Sequence, residues 1–285
     1  MAETEGIQKK TLSDRKNVCA IIFSGCNHPQ NSSLDIVLKL CKFSRVQEIL
    51  HISMGTIFSQ AIQLIITADA ALLEIVALSL RVTLTAVGLS CVIGLPIGAV
   101  LGAVSFPGRG LVNVTLNALM GLPPVVVGLV VYLTLSNSGP LGVLQLLYTP
   151  TAMIIAQTIL VLPIVTALTR QMVEDLNAEY ADHFSSLGVR LHQRVAALIW
   201  DGRHRLMTTV LAGFGRAIAE VGAVMIVGGN INHATRVMTT AIALESSKGN
   251  LELALALGVI LLLVALIVNG LAMTIRGSTL RAAYA

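Results

Sequence analysis

The sequence predicts an all-α, polytopic membrane protein. Hydrophobic residues make up 55% of its 285 residues and charged residues only 12%, whereas soluble domains average about 45–50% and about 25%. The apolar residues form runs close to the ~20 residues that a helix needs to cross the hydrocarbon core. Glycine occurs 24 times and aromatic residues make up 4%, and small residues let membrane helices approach closely. These observations favour a packed helical bundle over isolated membrane anchors.

Residues 1–53 differ from the rest of the chain. They carry mixed charges and no apolar run longer than CAIIF, so they lack the continuous apolar core and the cleavage site of a signal peptide. Two interpretations remain open: a poorly ordered extension, or translated sequence upstream of a true start at Met54. The amphipathic pattern after Met54 predicts a short helix that lies in the membrane interface.

About five spanning helices are predicted within residues 54–277, and residues 278–285 form a short tail. Pro96 and Pro163 lie inside the first and third spans and predict bends there. The approximate ranges of the five spans are 73–104, 111–135, 151–168, 207–228 and 251–275.

The second span is interrupted by GLPPVVVG, which occupies Gly121–Gly128. Pro123 and Pro124 remove two backbone donors and clash with the preceding turn, so the helix must bend or unwind inside the membrane. Non-helical backbone is tolerated at that depth only where protein or water surrounds it. We therefore predict that this segment lines a transport path.

The polar interval between the third and fourth spans sets the orientation of the chain. The positive-inside rule places this interval in the cytoplasm, and with five spans the C-terminus is cytoplasmic as well. The residues before the first span then lie outside, and the need to export a basic segment favours a start at Met54. The basic residues of the interval are Arg170, Arg190, Arg194, Arg203 and Arg205.

The interval Ala181–Leu206 contains an amphipathic pattern on both sides of Gly188, which permits a sharp turn. Two short helices with one apolar face are therefore predicted. That face has two interpretations: it packs on its own bundle, or it is presented to a groove on a soluble partner. The apolar residues at steps of three and four are Phe184, Leu187, Leu191, Val195, Leu198 and Ile199.

Arg216 and Glu220 lie in the apolar segment GFGRAIAEVGAVMIVGGN of the fourth span. A charged residue costs about 2.5–3.5 kcal/mol at the centre of a membrane helix. Their four-residue spacing predicts that they lie on one helix face and neutralise each other. Three roles remain open: a structural pair, a hinge that changes partner between states, and direct contact of Arg216 with an anion.

The loop GGNINHATR follows the fourth span on the predicted outer side. It is either an ordinary hydrated loop or the outer mouth of the transport path, where a capture protein would dock. The polar residues that would form such a mouth are Asn230, Asn232, Thr235 and Arg236.

Several kinds of chemistry lack their motifs in this chain. The cysteines form no CxxC pair and have no paired histidine spacing, so no metal or redox site is predicted. No GxxxxGK[ST], HExxH or GxSxG run occurs, so neither ATP hydrolysis nor another enzymatic activity is expected of this chain. The basic residues lie between apolar segments, which indicates membrane orientation rather than nucleic-acid binding. An ion-coupled secondary transporter is the alternative of another class, although its expected inverted repeat is not evident.

Four segments resemble permease subunits of ABC importers. Asp182-His183-Phe184 followed by Gly188 is similar to the EAA-xxx-G loop of binding-protein-dependent importers, with Asp in place of Glu and with Trp200-Asp201 in place of Leu-Pro. The run GLPPVVVGLVVYL resembles molybdate-type permeases. GFGRAIAEVGAVMIVGGNI and TRVMTTAIALE resemble tungstate permeases in particular.

The resemblance covers about residues 54–277 and implies a type I ABC importer permease in the inner (plasma) membrane of a prokaryote. It implies a second copy of the chain, a cytoplasmic dimer of ATPase subunits that bind the ATP, and an extracytoplasmic oxyanion-binding protein. The implied substrate is tungstate, with molybdate and more distantly sulfate as alternatives, and no cofactor is expected in this chain. The residues implied to couple to the ATPase are Asp182, His183, Phe184, Gly188, Leu191, Val195 and Leu198.

Overall fold

The computed structural model describes residues 62–63 and 70–283, and this part of the chain contains α-helices and no β-strand. Within the described residues, one 3₁₀ turn, Gly142–Leu144, lies between the helices Pro124–Leu135 and Pro150–Glu179. The described helices are α1 (Ala70–Ala103), α2 (Arg109–Met120), α3 (Pro124–Leu135), α4 (Pro150–Glu179), α5 (Ala181–Leu187), α6 (Leu191–Asp201), α7 (Arg203–Ile218), α8 (Gly222–Gly228), α9 (Met238–Lys248) and α10 (Leu251–Ala283).

Three described helices are long and apolar enough to cross a membrane alone: α1, α4 and the portion Leu251–Leu271 of α10. Two further crossings arise if α2 with α3 and α7 with α8 each form one bent span. Counted in this way, the structure confirms the prediction of about five spans. Pro96 and Pro163 lie inside α1 and α4 without ending either helix.

The packing of α1 against α4 forms the centre of the bundle. Gly98 and Gly102 of α1 lie against the backbone of α4, because a Cβ on these glycines would lie 2.5 Å from the Thr166 carbonyl oxygen and 2.6 Å from the Arg170 carbonyl oxygen. Only glycine permits backbones to approach this closely. The glycine-rich composition therefore serves helix packing, as predicted.

The structure extends one predicted span well beyond its expected end and adds one helix. The third span was expected to end near Leu168, but α4 continues to Glu179 because Met172, Val173 and Leu176 keep the helical spacing and are buried. The short helix α9 was not predicted at all. It packs its Met238 and Ala241 against residues of α1 and α10.

The predictions for residues 1–53 and for an interfacial helix after Met54 fall almost entirely outside the described residues. Ile62 and Gln63 are helical, and the prediction otherwise stays untested.

Candidate transport and coupling site

Two spans are broken, and the sequence explains one of the breaks directly. The axes of α2 and α3 differ by 94° across Gly121–Pro123, while α7 and α8 differ by 57°. Pro124 occupies the first position of α3, where its missing N–H costs nothing and its fixed φ suits the helix. The predicted break at Pro123 and Pro124 is therefore confirmed.

The helices that follow the two breaks are in backbone contact with each other. A Cβ on Gly128 of α3 would lie 2.7 Å from the Cα of Ala223 in α8, and a Cβ on Gly222 would lie 2.9 Å from a methyl group of Val125. Both distances are too short for any side chain larger than hydrogen. The interruption in one span therefore lies beside the interruption in the other, at the start of α3 and α8.

Side chains from other helices satisfy the backbone groups at the second break. The Gln157 Nε2 of α4 donates to the carbonyl oxygen of Ala217 at 3.2 Å. The Thr239 hydroxyl of α9 donates to the carbonyl oxygen of Glu220 at 2.8 Å. Backbone groups left unpaired in an apolar interior would each cost about 1–3 kcal/mol. The break is thus a stable feature built from three helices.

Glu220 lies in the break, not within a helix as the spacing argument assumed, because α7 ends at Ile218. Its Oε1 accepts a hydrogen bond from the backbone N–H of Ala223 at 3.2 Å, so the carboxylate caps the first turn of α8. A capping carboxylate is favoured at this end of a helix by the helix dipole. Glu220 therefore holds the start of α8 in place.

The predicted pairing of Arg216 with Glu220 is present, although it is loose. The Arg216 Nη2 lies 3.8 Å from the Glu220 Oε2, and the side chains are 36% and 5% exposed respectively. That separation exceeds hydrogen-bond length, so the two groups attract each other without a direct hydrogen bond. The arginine supplies a neighbouring positive charge, while the backbone of α8 supplies the hydrogen bond.

A small cavity adjoins the second break. It has a volume of about 10 Å³ and its polar lining comes from Ser79, Thr83, Gln157, Glu220 and Thr239. The Gln157 Oε1 is buried without a hydrogen-bond partner among the described residues. Nothing in the sequence pattern marked Gln157 or Thr239, because isolated polar residues are common in membrane helices.

The four candidate residues of the outer loop differ in burial: two are buried and two are accessible. Asn230 and Thr235 are buried; the amide of Asn230 exchanges hydrogen bonds with Thr240 at 3.2 and 3.0 Å, and the Thr235 hydroxyl accepts from the N–H of Ile231 at 3.0 Å. These two residues hold the loop closed. Asn232 is exposed and Arg236 is partly exposed, so only they are available to a docking protein.

On the predicted cytoplasmic side, α5 and α6 are joined by a tight turn at Gly188. Gly188 has φ +60°, a conformation that strongly favours glycine. The N–H of Gly188 donates to the carbonyl oxygen of Ser185, and the N–H of Val189 donates to that of Phe184. This pair of bonds is a Schellman motif, so Gly188 sets the angle at which α5 leads into α6.

The amphipathic face of α5 and α6 is divided between two surfaces. Phe184 and Val195 are partly buried and Leu198 is completely buried against residues of α1 and α4, so Leu198 supports α6 from within and cannot contact a partner. Leu187 is 76% exposed and Leu191 is 49% exposed. The remaining predicted coupling residues, Asp182 and His183, are exposed beside them. Packing on the bundle is therefore confirmed for Phe184, Val195 and Leu198, while the docking of the exposed residues on a partner stays a prediction.

The base of this helix pair is closed by polar contacts. The Tyr180 hydroxyl donates to the Asp201 Oδ2 at 3.0 Å, and this hydrogen bond raises the pKa of Tyr180. The guanidinium of Arg194 lies 5.3 Å from the ring centre of Phe184, within cation–π range. These contacts join the end of α4, α5 and α6 into one unit, which we call the coupling unit (residues 180–201).

Comparison with known proteins gives a consistent result. A family model described as "Binding-protein-dependent transport system inner membrane component" matches residues 94–275. A "Probable anion ABC transporter permease protein" of Haloferax volcanii is 44% identical, covering 73% of this chain and 92% of the relative. Proteins named "Tungstate uptake system permease protein TupB" are 42% identical in Peptoclostridium acidaminophilum (74% and 93% covered) and 36% identical in Campylobacter jejuni (74% and 89% covered).

Proposed function

The chain belongs to the family of binding-protein-dependent transport system inner membrane components, and we propose that it is the permease subunit of an ATP-driven importer of tungstate. Two relatives, 42% and 36% identical, carry names that assign tungstate uptake to them. The name of a third, at 44% identity, assigns it an anion. Molybdate, with the same charge and shape, is the alternative substrate.

The observation that carries the proposal is the combination of two adjoining broken spans with an exposed coupling unit. The breaks place non-helical backbone inside the bundle, which suits a path for an ion. The coupling unit exposes Leu187 and Leu191, and we assign them to the cytoplasmic side, where a separate ATPase subunit would bind them. Residues of this kind on a short helix fit a hydrophobic groove.

In the assembled importer, two copies of this chain enclose the path, and each coupling unit contacts one ATPase subunit. The ATPase binds the ATP, and this chain acts as a transport subunit rather than an enzyme, with no cofactor of its own. An extracytoplasmic protein delivers the oxyanion to the outer loop near Asn232 and Arg236. The C-terminus lies in the cytoplasm.

The positions of Glu220 and Arg216 also affect how tightly an oxyanion could bind at the second break. Glu220 is buried beside the break with its charge directed at the backbone of α8 and at Arg216. A tight complex of the oxyanion with Arg216 is disfavoured, because the Glu220 carboxylate already lies beside that guanidinium. An ion that makes only weak contacts with the path can leave as readily as it enters.

The test is uptake by vesicles that contain this chain, its cognate ATPase and its binding protein. We expect ATP-dependent accumulation of tungsten at low oxyanion concentration, with molybdenum and sulfur measured in parallel by mass spectrometry. Preferential accumulation of molybdenum would reassign the substrate. Uptake driven by an ion gradient in the absence of the ATPase would overturn the proposal and indicate a secondary transporter.

A further inference from the structure

Two arginines share one glutamate where α1, α2 and α4 meet. The Glu174 carboxylate lies 2.6 Å from the Arg170 Nη1 and 3.3 Å from the Arg109 Nη2. The same Arg109 nitrogen donates to the carbonyl oxygen of Gly102 at 3.2 Å. Arg109 is the first residue of α2, Gly102 lies at the end of α1, and the other two residues belong to α4. This Arg109–Glu174–Arg170 cluster therefore joins three helices.

Glu174 is the group on which the cluster depends. The Arg170 side chain is only 10% exposed, and the Nε atoms of both arginines are buried without a partner among the described residues. No other carboxylate forms an ion pair with either arginine in the described part of the chain. Glu174 itself is 40% exposed and Arg109 is 27% exposed, so solvent screens part of the interaction. Loss of the charge on Glu174 would still leave the largely buried Arg170 beside a second cation with no carboxylate partner among the described residues.

The helix α2 packs along α4, but this contact is shallow. None of its residues is buried, and the apolar side chains of Leu111 and Val114 are exposed. It nevertheless leads directly into the break at Gly121–Pro123 and then into α3. The ionic contact of Arg109 thus reinforces a shallow packing contact between α2 and α4 and lies at the start of α2.

The helix α4, which carries Glu174 and Arg170, continues at its C-terminal end into the coupling unit. Glu174 lies near the end of α4, and only Tyr180 separates α4 from α5. Met172 and Leu176, on either side of Glu174 along α4, pack against Leu198 of α6. A displacement of α5 and α6 must therefore move the segment of α4 that carries Glu174.

We propose that Glu174 is a positioning residue that transmits movement of the coupling unit, through Arg109, to α2 and the break before α3. The inference rests on the proposed function, because it assigns the route by which ATP-driven movement reaches the transport path. The route uses a discrete ionic contact that can be removed without altering the surface offered to the ATPase.

The first test compares Glu174→Gln with Asp175→Asn in the complete importer. Asp175 is the adjacent carboxylate on α4, is exposed, and forms no ion pair among the described residues, so it is the matched control. For Glu174→Gln we expect ATP hydrolysis to persist while oxyanion uptake per ATP falls by about tenfold, within the range of coupling effects. Asp175→Asn should keep the wild-type ratio. An equal fall of hydrolysis and uptake, or an unchanged ratio in Glu174→Gln, would overturn the proposal.

A charge exchange separates transmission from simple loss of stability. Glu174→Arg alone places three arginines together, and Arg109→Glu alone places two glutamates beside one arginine. The double variant again has two arginines and one glutamate, with the ionic contact between α2 and α4 in the reverse direction. We expect it to recover most of the uptake per ATP that each single variant loses. Failure to recover, with all three proteins monodisperse in detergent, would contradict an ionic link.

Hydrogen–deuterium exchange tests the link without any transported substrate. In the complex with the ATPase, a non-hydrolysable ATP analogue should change exchange in residues 181–201 and in residues 109–120. In Glu174→Gln the first change should remain and the second should disappear. If the wild-type complex shows both changes but takes up no oxyanion, the proposed function fails and the link stands; if residues 109–120 respond equally in the variant, the link fails.

Discussion

The contact between α3 and α8 predicts a large effect of a single methyl group at Gly128. A Cβ at this position would lie 2.7 Å from the Cα of Ala223, about 0.8 Å inside the ~3.5 Å contact distance of two carbon atoms. The neighbouring atom belongs to the backbone, so the helices must separate. Gly128→Ala should therefore destabilise the protein by about 1–3 kcal/mol, the usual cost of overpacking.

Gly88 provides a matched control with the opposite expected sign. It also lies inside a helix, α1, but a Cβ there meets no atom within 4 Å. Gly88→Ala should be neutral or stabilise the protein by about 0.5–1 kcal/mol, because alanine favours the helical backbone more than glycine does.

The assay is thermal unfolding of the purified permease in detergent at one fixed scan rate, followed by uptake in vesicles. Gly128→Ala should lower the transition temperature by roughly 2–12 °C at 2–4 °C per kcal/mol, and it should reduce uptake because the two broken spans no longer meet. Equal transition temperatures for the two alanine variants would refute the inferred backbone contact between α3 and α8.

Three further variants test other parts of the site. Gly188→Val forces a branched residue into φ +60° at a cost of about 1–2 kcal/mol, and uptake per ATP should fall although the bundle stays folded. Gln157→Leu leaves the Ala217 carbonyl oxygen unpaired and should lower stability by about 1–3 kcal/mol in the same thermal assay. The pKa of Tyr180 is raised by its hydrogen bond to Asp201, so this contact contributes stability below the ordinary tyrosine pKa of about 10 and loses it as pH rises through the raised pKa. The pKa of Tyr148 is also raised, by its hydrogen bond with Tyr132. Absorbance titration should therefore show one late-titrating phenol fewer in Tyr180→Phe than in the wild type.

Matched variants make two of these outcomes specific. Gly188→Asn should retain uptake, because asparagine tolerates a positive φ far better than valine. Thr158→Ala removes a hydroxyl that bonds only within α4, to the carbonyl oxygen of Ile154, and should change stability less than Gln157→Leu. A loss of uptake in Gly188→Asn as large as in Gly188→Val would contradict a backbone role for Gly188.

The spans and the first break could be predicted because they depend on neighbouring residues. Hydrophobic run length predicts a crossing helix, and Pro123 and Pro124 interrupt a helix wherever they occur. The positive φ at Gly188 likewise follows from a glycine between two amphipathic segments. The second break was missed, because no proline marks it and its bonds come from elsewhere in the chain.

In the candidate site, too, the features that depend on local spacing were predicted and those that depend on distant residues were not. Spacing alone placed Arg216 and Glu220 together, and they are together at 3.8 Å. It did not indicate that Glu220 caps α8, that Leu198 is buried, or that Asn230 and Thr235 face inwards. Each of these depends on which neighbour a side chain meets, and a periodic pattern gives the direction of a face without naming what covers it.

The sequence by itself determined a membrane-embedded helical bundle, its approximate spans, the break at Pro123 and Pro124, and an amphipathic turn at Gly188. Those features arise from local physics: transfer of apolar runs into lipid, and the backbone limits of proline and glycine. The tertiary structure alone decided that the two breaks adjoin, that Gln157 bonds to a carbonyl 60 residues away, and that Glu174 joins α4 to α2. These contacts link residues that are distant along the chain, and only the packing of the helices brings them within reach.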